Sequence, residues 1–340
     1  MIPRIGVAVV IATLVATQSG FANASSTVSN LTMHRPANPG ALLPVNNDPK
    51  VGFFGSNLDW PEGITAGPDG NVWATEFWVG EVTRITPSGG ITEFPVASTA
   101  QSIVTGPDGN LWFTESGADA IGRITPAGVA SSFPIGGIDP RGIAVGPDGN
   151  LWFTEMDDGY IGRITTSGVV TRFDVSPNGE LWGIITGPDG DIWFTDFFKN
   201  LIGRFDPKSL KQLSPIMLNA GDNPWALAIG PDHNVWFTGR SSGKIGTVAN
   251  GKVSEFTIPG PPTPYPDSIT TGPDGNLWFT ESLSSGIGRF DPTTKRFTAR
   301  LALPSTDIPT SITAGPGGNL WFTNPSYNSP DDRIGVVQLH

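Results

Sequence analysis

A ten-residue phrase returns seven times along this chain, at intervals of 39 to 43 residues. Its full form is Gly106-Pro107-Asp108-Gly109-Asn110-Leu111-Trp112-Phe113-Thr114-Glu115. Copies begin at Gly67, Gly106, Gly146, Gly187, Gly230, Gly272 and Gly315. A strand-rich unit of about 40 residues cannot bury its own apolar face and must stack on its neighbours. That period predicts an all-β, seven-bladed β-propeller with four antiparallel strands per blade.

The second copy shows how one repeat makes one blade. Ser102 to Thr105 is β-prone. Pro107-Asp108-Gly109-Asn110 then makes a turn: Pro presets φ, Asp bonds the turn backbone and Gly takes positive φ. Leu111 to Thr114 is the second strand, Ile121 to Thr125 the third and about Val129 to Pro134 the fourth. The Trp of each copy (Trp73, Trp112, Trp152, Trp193, Trp236, Trp278 and Trp321) is expected to pack between blades. Arg123, Arg163, Arg204 and Arg289, in recurring Ile-Gly-Arg elements, are expected to brace strands. After the last copy only a third strand follows, Arg333 to Leu339. The run Val51 to Ser56 sits where a fourth strand precedes every later copy. The N-terminal strand is therefore expected to close the last blade and remove the open sheet edges.

Ahead of the propeller, assigned to residues 51–340, residues 1–24 read as a signal peptide. Arg4 is the basic head, Ile5 to Ala16 the apolar run and Ala22-Asn23-Ala24 the cleavage pattern. Residues 25–50 read as a flexible leader, with Asn30-Leu31-Thr32 a glycosylation acceptor only in a eukaryotic host. The mature protein is expected to be secreted or periplasmic, monomeric and not inserted in a membrane. A net charge of -11 argues against nucleic acid as a partner. The chain has no cysteine and only three histidines. His34 lies in the leader, His340 is the last residue, and His233 replaces a turn glycine. A Ser/His/Asp or Cys/His triad is accordingly not expected.

In a chain this repetitive, function is sought where the copies disagree. The position five before each repeat Gly reads Glu62, Gln101, Arg141, Trp182, Trp225, Asp267 and Thr310. It is followed each time by a small residue and then Ile or Leu. The position nine after that Gly reads Glu76, Glu115, Glu155, Asp196, Gly239, Glu281 and Asn324. Both columns lie at the open end of the first hairpin, whose inner strand lines the axis. They are expected to face each other around one acidic, partly aromatic mouth of the channel. Glu62, Gln101, Arg141, Trp182, Trp225, Thr310 and Asn324 are candidate contacts for a small-molecule, peptide or sugar ligand. Phe77-Trp78 and Phe197-Phe198 would widen the mouth. Asp267 and Glu281 are expected to face each other as a catalytic carboxyl pair or a site for Mg or Ca. The recurrence of Glu76, Glu115 and Glu155 favours a structural duty, since a catalytic group is needed once.

The phrase Ile-Thr-x-Gly-Pro-Asp-Gly-Asn-Leu-Trp-Phe-Thr-Glu followed by Ile-Gly-Arg, as in Ile269 to Glu281 with Ile287 to Phe290, resembles the virginiamycin B lyase (streptogramin lyase) family over roughly residues 51–340. The resemblance implies a seven-bladed propeller and a Mg-dependent carbon–oxygen lyase. Such a lyase linearises type B streptogramins, which are cyclic depsipeptides, by elimination at the ester. It also implies two histidines and a glutamate on late blades. The matching positions here are Asp267, Thr310 and Asn324, or one blade earlier Trp225, Asp267 and Glu281; neither set contains a histidine. Three readings stay open: a lyase-like binding propeller, a metal-assisted C–O lyase or lactonase, and an extracellular interaction platform.

Overall fold

The computed structural model describes residues 49–55, 58–260, 264–326 and 332–339. The signal peptide, nearly all of the leader, His34, Ser56 and His340 lie outside them.

Seven antiparallel sheets follow one another along the chain. The first runs Pro61–Ala66, Val72–Glu76, Glu81–Ile85 and Ile91–Pro95 in sequential order. Each later sheet repeats this meander, and each innermost strand lies beside that of the next sheet until the seventh returns to the first. The architecture is a seven-bladed β-propeller. In the last blade Lys50–Phe54 pairs antiparallel with Arg333–Gln338, Val51 opposite Val337 and Phe54 opposite Ile334. The N-terminal strand therefore closes the ring, as the sequence predicts. In the fourth blade the outer strand is split into Lys211–Gln212 and Ile216–Met217. Pro215 lies in the gap, and a residue without an N–H cannot continue a ladder.

The repeated letters build the wedges between blades. Trp73 and Val82 of the first blade pack with Ile103, Leu111 and Phe113 of the second. Trp112 and Ile121 repeat the pattern against the third blade. Each indole is also tethered within its own blade. Trp112 Nε1 donates to Asp108 Oδ1 of its turn (3.0 Å), its ring stacks on Phe133, and Arg123 lies 5.5 Å above it. The Ile-Gly-Arg arginines thus brace strands through indoles rather than reaching the axis. Their glycine has a packing cause: a Cβ on Gly122 would lie 2.1 Å from the Phe113 ring. His233 takes φ 58° at the turn end of its hairpin. Among the described residues no helix is long and apolar enough to cross a membrane.

Candidate functional site

The inner hairpins carry a register change that decides what lines the axis. In six blades the ladder slips near the start of the inner strand. Pro61, for example, opposes Glu76, but Ile64 opposes Ala74. The threonine before each residue of the second column bonds the inner strand instead. Thr75 Oγ1 accepts from Gly63 N–H (2.9 Å) and donates to the carbonyl of Gln101 on the next blade (2.6 Å). Thr114, Thr154, Thr195, Thr238 and Thr280 donate likewise to the carbonyls of Arg141, Trp182, Trp225, Asp267 and Thr310. Thr323 returns the chain of bonds to Glu62. Every residue of the divergent column is therefore held by its own carbonyl, whatever its side chain is. Where the residue that follows is a glycine, it also has a cause. A Cβ on Gly142 would lie 2.4 Å from the Trp182 carbonyl, and one on Gly183 2.5 Å from that of Trp225.

All seven side chains of this column line one cavity of about 210 Å³, with Glu62, Gln101, Arg141, Trp182, Trp225, Asp267 and Thr310 around it. Arg240 joins them. Sequence reasoning missed Arg240, although its signal was present: it follows Gly239, the one copy where the column acid is a glycine.

The wall is a four-layer stack. Trp182 and Trp225 lie with ring centroids 3.6 Å apart and planes 27° from parallel. Arg141 caps Trp182 at 4.8 Å and Arg240 caps Trp225 at 3.5 Å. Both faces of each indole are thus covered, and ring edges are what remain open to the cavity. Glu180 Oε1 accepts from Trp182 Nε1 (3.1 Å) and fixes that ring's rotation. Arg141 is ion-paired to Asp139 at 2.7 Å, and Arg240 is ion-paired to Asp267. Burial pushes the Asp267 carboxyl above its usual range, with Arg240 acting against it. Glu62 is also pushed up, first by burial and then by the negative charge of Asp267. Its Oε2 accepts from Trp60 Nε1 at 3.1 Å.

The second column does not share this cavity. The sequence expectation that Asp267 faces Glu281 is corrected: Pro266 opposes Glu281, and the register shifts just after it. Neighbouring strand residues point to opposite faces, so Asp267 turns to the axis and Glu281 away. Glu281 is held by Arg300 (2.7 Å) and Ser284 (2.7 Å). Glu76 accepts from the Asp59 amide, Glu115 from the Ala97 amide and Asp196 from the Lys199 amide. Glu155 pairs with Arg172. These acids bracket loops beneath the mouth. Asn324 is fully buried and lies outside the cavity, with no hydrogen-bond partner for its side chain among the described residues. The mouth is therefore mixed in charge rather than acidic: two carboxylates and two guanidiniums. Of the flanking aromatics, Phe197 meets Trp225 edge-on at 5.8 Å, while Phe198 and Trp78 are largely exposed.

The donor set suits a divalent cation poorly. Such an ion gathers several oxygen ligands at once. Here the Asp267 charge is already answered by Arg240 and that of Glu281 by Arg300.

The sequence profile described as the virginiamycin B lyase family matches residues 55–220 and 175–339. Among solved structures, a streptogramin B lyase is 30% identical with a TM-score of 0.78, over 86% of this chain and 98% of that one. A virginiamycin B lyase from Staphylococcus aureus is 30% identical at the same TM-score, over 86% of this chain and 100% of its own. A catalytically inactive variant of the Staphylococcus aureus enzyme, solved with quinupristin, is 31% identical over the same shares, with a TM-score of 0.78. A hydrazine synthase from Kuenenia stuttgartiensis, 14% identical with a TM-score of 0.70, shares the fold alone. No curated protein matches in sequence.

Proposed function

The chain belongs to the virginiamycin B lyase family, and on that premise we propose that it is an exported, monomeric propeller that binds an amphipathic ligand in its mouth cavity. One observation carries the reading. The seven positions at which the repeats diverge converge on a single cavity, inside a frame whose threonine-to-carbonyl bonds recur in every blade. Side chains freed from structural duty and gathered in one concavity are where recognition resides. The indole edges and Phe197 offer apolar contact. Arg141, Arg240, Glu62, Asp267 and Gln101 offer polar partners.

Titration of quinupristin and a panel of lactones, followed by tryptophan fluorescence, tests this reading. Binding should be saturable and should be lost in the W182A/W225A variant. Affinity unchanged in that variant contradicts the site.

A second reading, C–O bond elimination, is favoured by the proximity of Glu62 and Asp267. Elimination needs a base at the proton lost and a donor at the leaving oxygen. Two carboxyls with raised proton affinity in one cavity supply those types of group without histidine. Mass spectrometry of the incubated quinupristin distinguishes the readings: a ring-opened product abolished by D267N supports elimination, and an intact ring supports binding alone.

A further inference from the structure

Four charged side chains line the mouth cavity, and three of them are neutralised by an ionic partner. Arg141 has Asp139 at 2.7 Å. Arg240 and Asp267 have each other. Glu62 makes no ion pair among the described residues; its carboxylate accepts from the uncharged indole N–H of Trp60. Arg141 and Arg240 act on it only from beyond ion-pair distance. From this imbalance, and resting on the cavity reading above, we infer that Glu62 is the anchor for a protonated amine, so that the ligand class is an organic ammonium with an apolar body.

A half-buried carboxylate is costly until it is paired and hydrogen-bonded. An ammonium at Glu62 supplies the missing charge and a charge-assisted hydrogen bond. The alternative polarity is disfavoured by the same geometry. A ligand carboxylate would have to compete with Asp139 or Asp267 for a guanidinium that already lies against an indole. It would also approach the unpaired Glu62. The apolar body of the ligand would meet the edges of Trp182 and Trp225, whose faces are filled. At longer range the net charge of -11 draws cations toward the protein.

The test uses three probes that share one ring and differ in charge: benzylamine, benzyl alcohol and benzoate. Each is titrated into the purified chain at neutral pH. Benzylamine should bind about tenfold more tightly than benzyl alcohol, the scale expected of one charge-assisted bond. The E62Q variant keeps an acceptor for Trp60 and should bring the two within about twofold of each other. Benzyl alcohol or benzoate binding as well as benzylamine overturns the amine assignment and leaves the cavity reading standing. A benzylamine preference that survives E62Q also overturns the assignment. Saturable binding of none of the three overturns the cavity reading itself. The ranking on the unsubstituted chain stands even if E62Q fails to fold.

Discussion

The Thr323 hydroxyl donates to the backbone carbonyl of Glu62 across 2.9 Å, joining the last blade to the first. It is one of seven equivalent bonds, but the only one between residues at opposite ends of the sequence. The same oxygen accepts from the Ser311 amide. Thr323→Val keeps the shape and removes both functions. Leaving a buried amide and a carbonyl unpaired costs about 1–3 kcal/mol. The variant should therefore unfold at lower denaturant than the wild type. Because the bond sits at the ring closure, proteolysis should begin in the first or last blade. Thr114→Val, in mid-chain, should lose similar stability without that bias.

The Arg240–Asp267 pair couples the site to the fold. Removing Arg240 alone leaves Asp267, which is 6% exposed, without its cation. Breaking a buried pair in this way costs about 3–5 kcal/mol, toward the low end here because Arg240 is partly exposed. Arg240→Met should be strongly destabilising, Asp267→Asn less so, and the double variant should recover much of the loss. A double-mutant cycle from chemical denaturation checks this. Additive single effects would mean that the pair is not coupled.

The first blade lacks a counter-charge that two others have. Glu155 meets Arg172 and Glu281 meets Arg300 across their blades. At the corresponding place near Glu76 stands Glu93, and Glu76, Glu81 and Glu93 present oxygens within 4.8 Å of one another. Burial, with the neighbouring glutamates, pushes Glu76 and Glu81 above the ordinary value of 4.5. Groups that hold protons more tightly when folded favour the folded state at lower pH. Their contribution to stability should fall as pH rises through the raised values. Glu93→Arg should raise stability at pH 7.5 by about 1 kcal/mol and flatten this dependence. Thermal unfolding at pH 5.5 and 7.5 checks both the sign and the flattening.

The ring, the blade count and the closing strand were legible because the Gly-Pro-Asp-Gly-Asn turn and its Trp repeat with little variation. The divergent column was legible for the same reason: Trp182 and Trp225 stand out only against a fixed frame. What the letters did not reveal was the ladder slip beside Gly63, Gly142 and Gly183. That slip moves the partner of each column acid by one residue, and one residue reverses the face. Asp267 and Glu281 consequently look like a pair in sequence and point apart in space. Arg240 lies one place beyond a column, and its signal is the exception just before it: Gly239 stands where most copies have an acid.

The most direct measurement is a crystal structure of the protein soaked with a fragment library. Bound fragments should concentrate in the cavity bounded by Glu62, Arg141, Trp182, Trp225, Arg240 and Asp267. Amine-bearing fragments should lie against Glu62. Fragments that bind elsewhere on the propeller and leave this cavity empty would contradict the account.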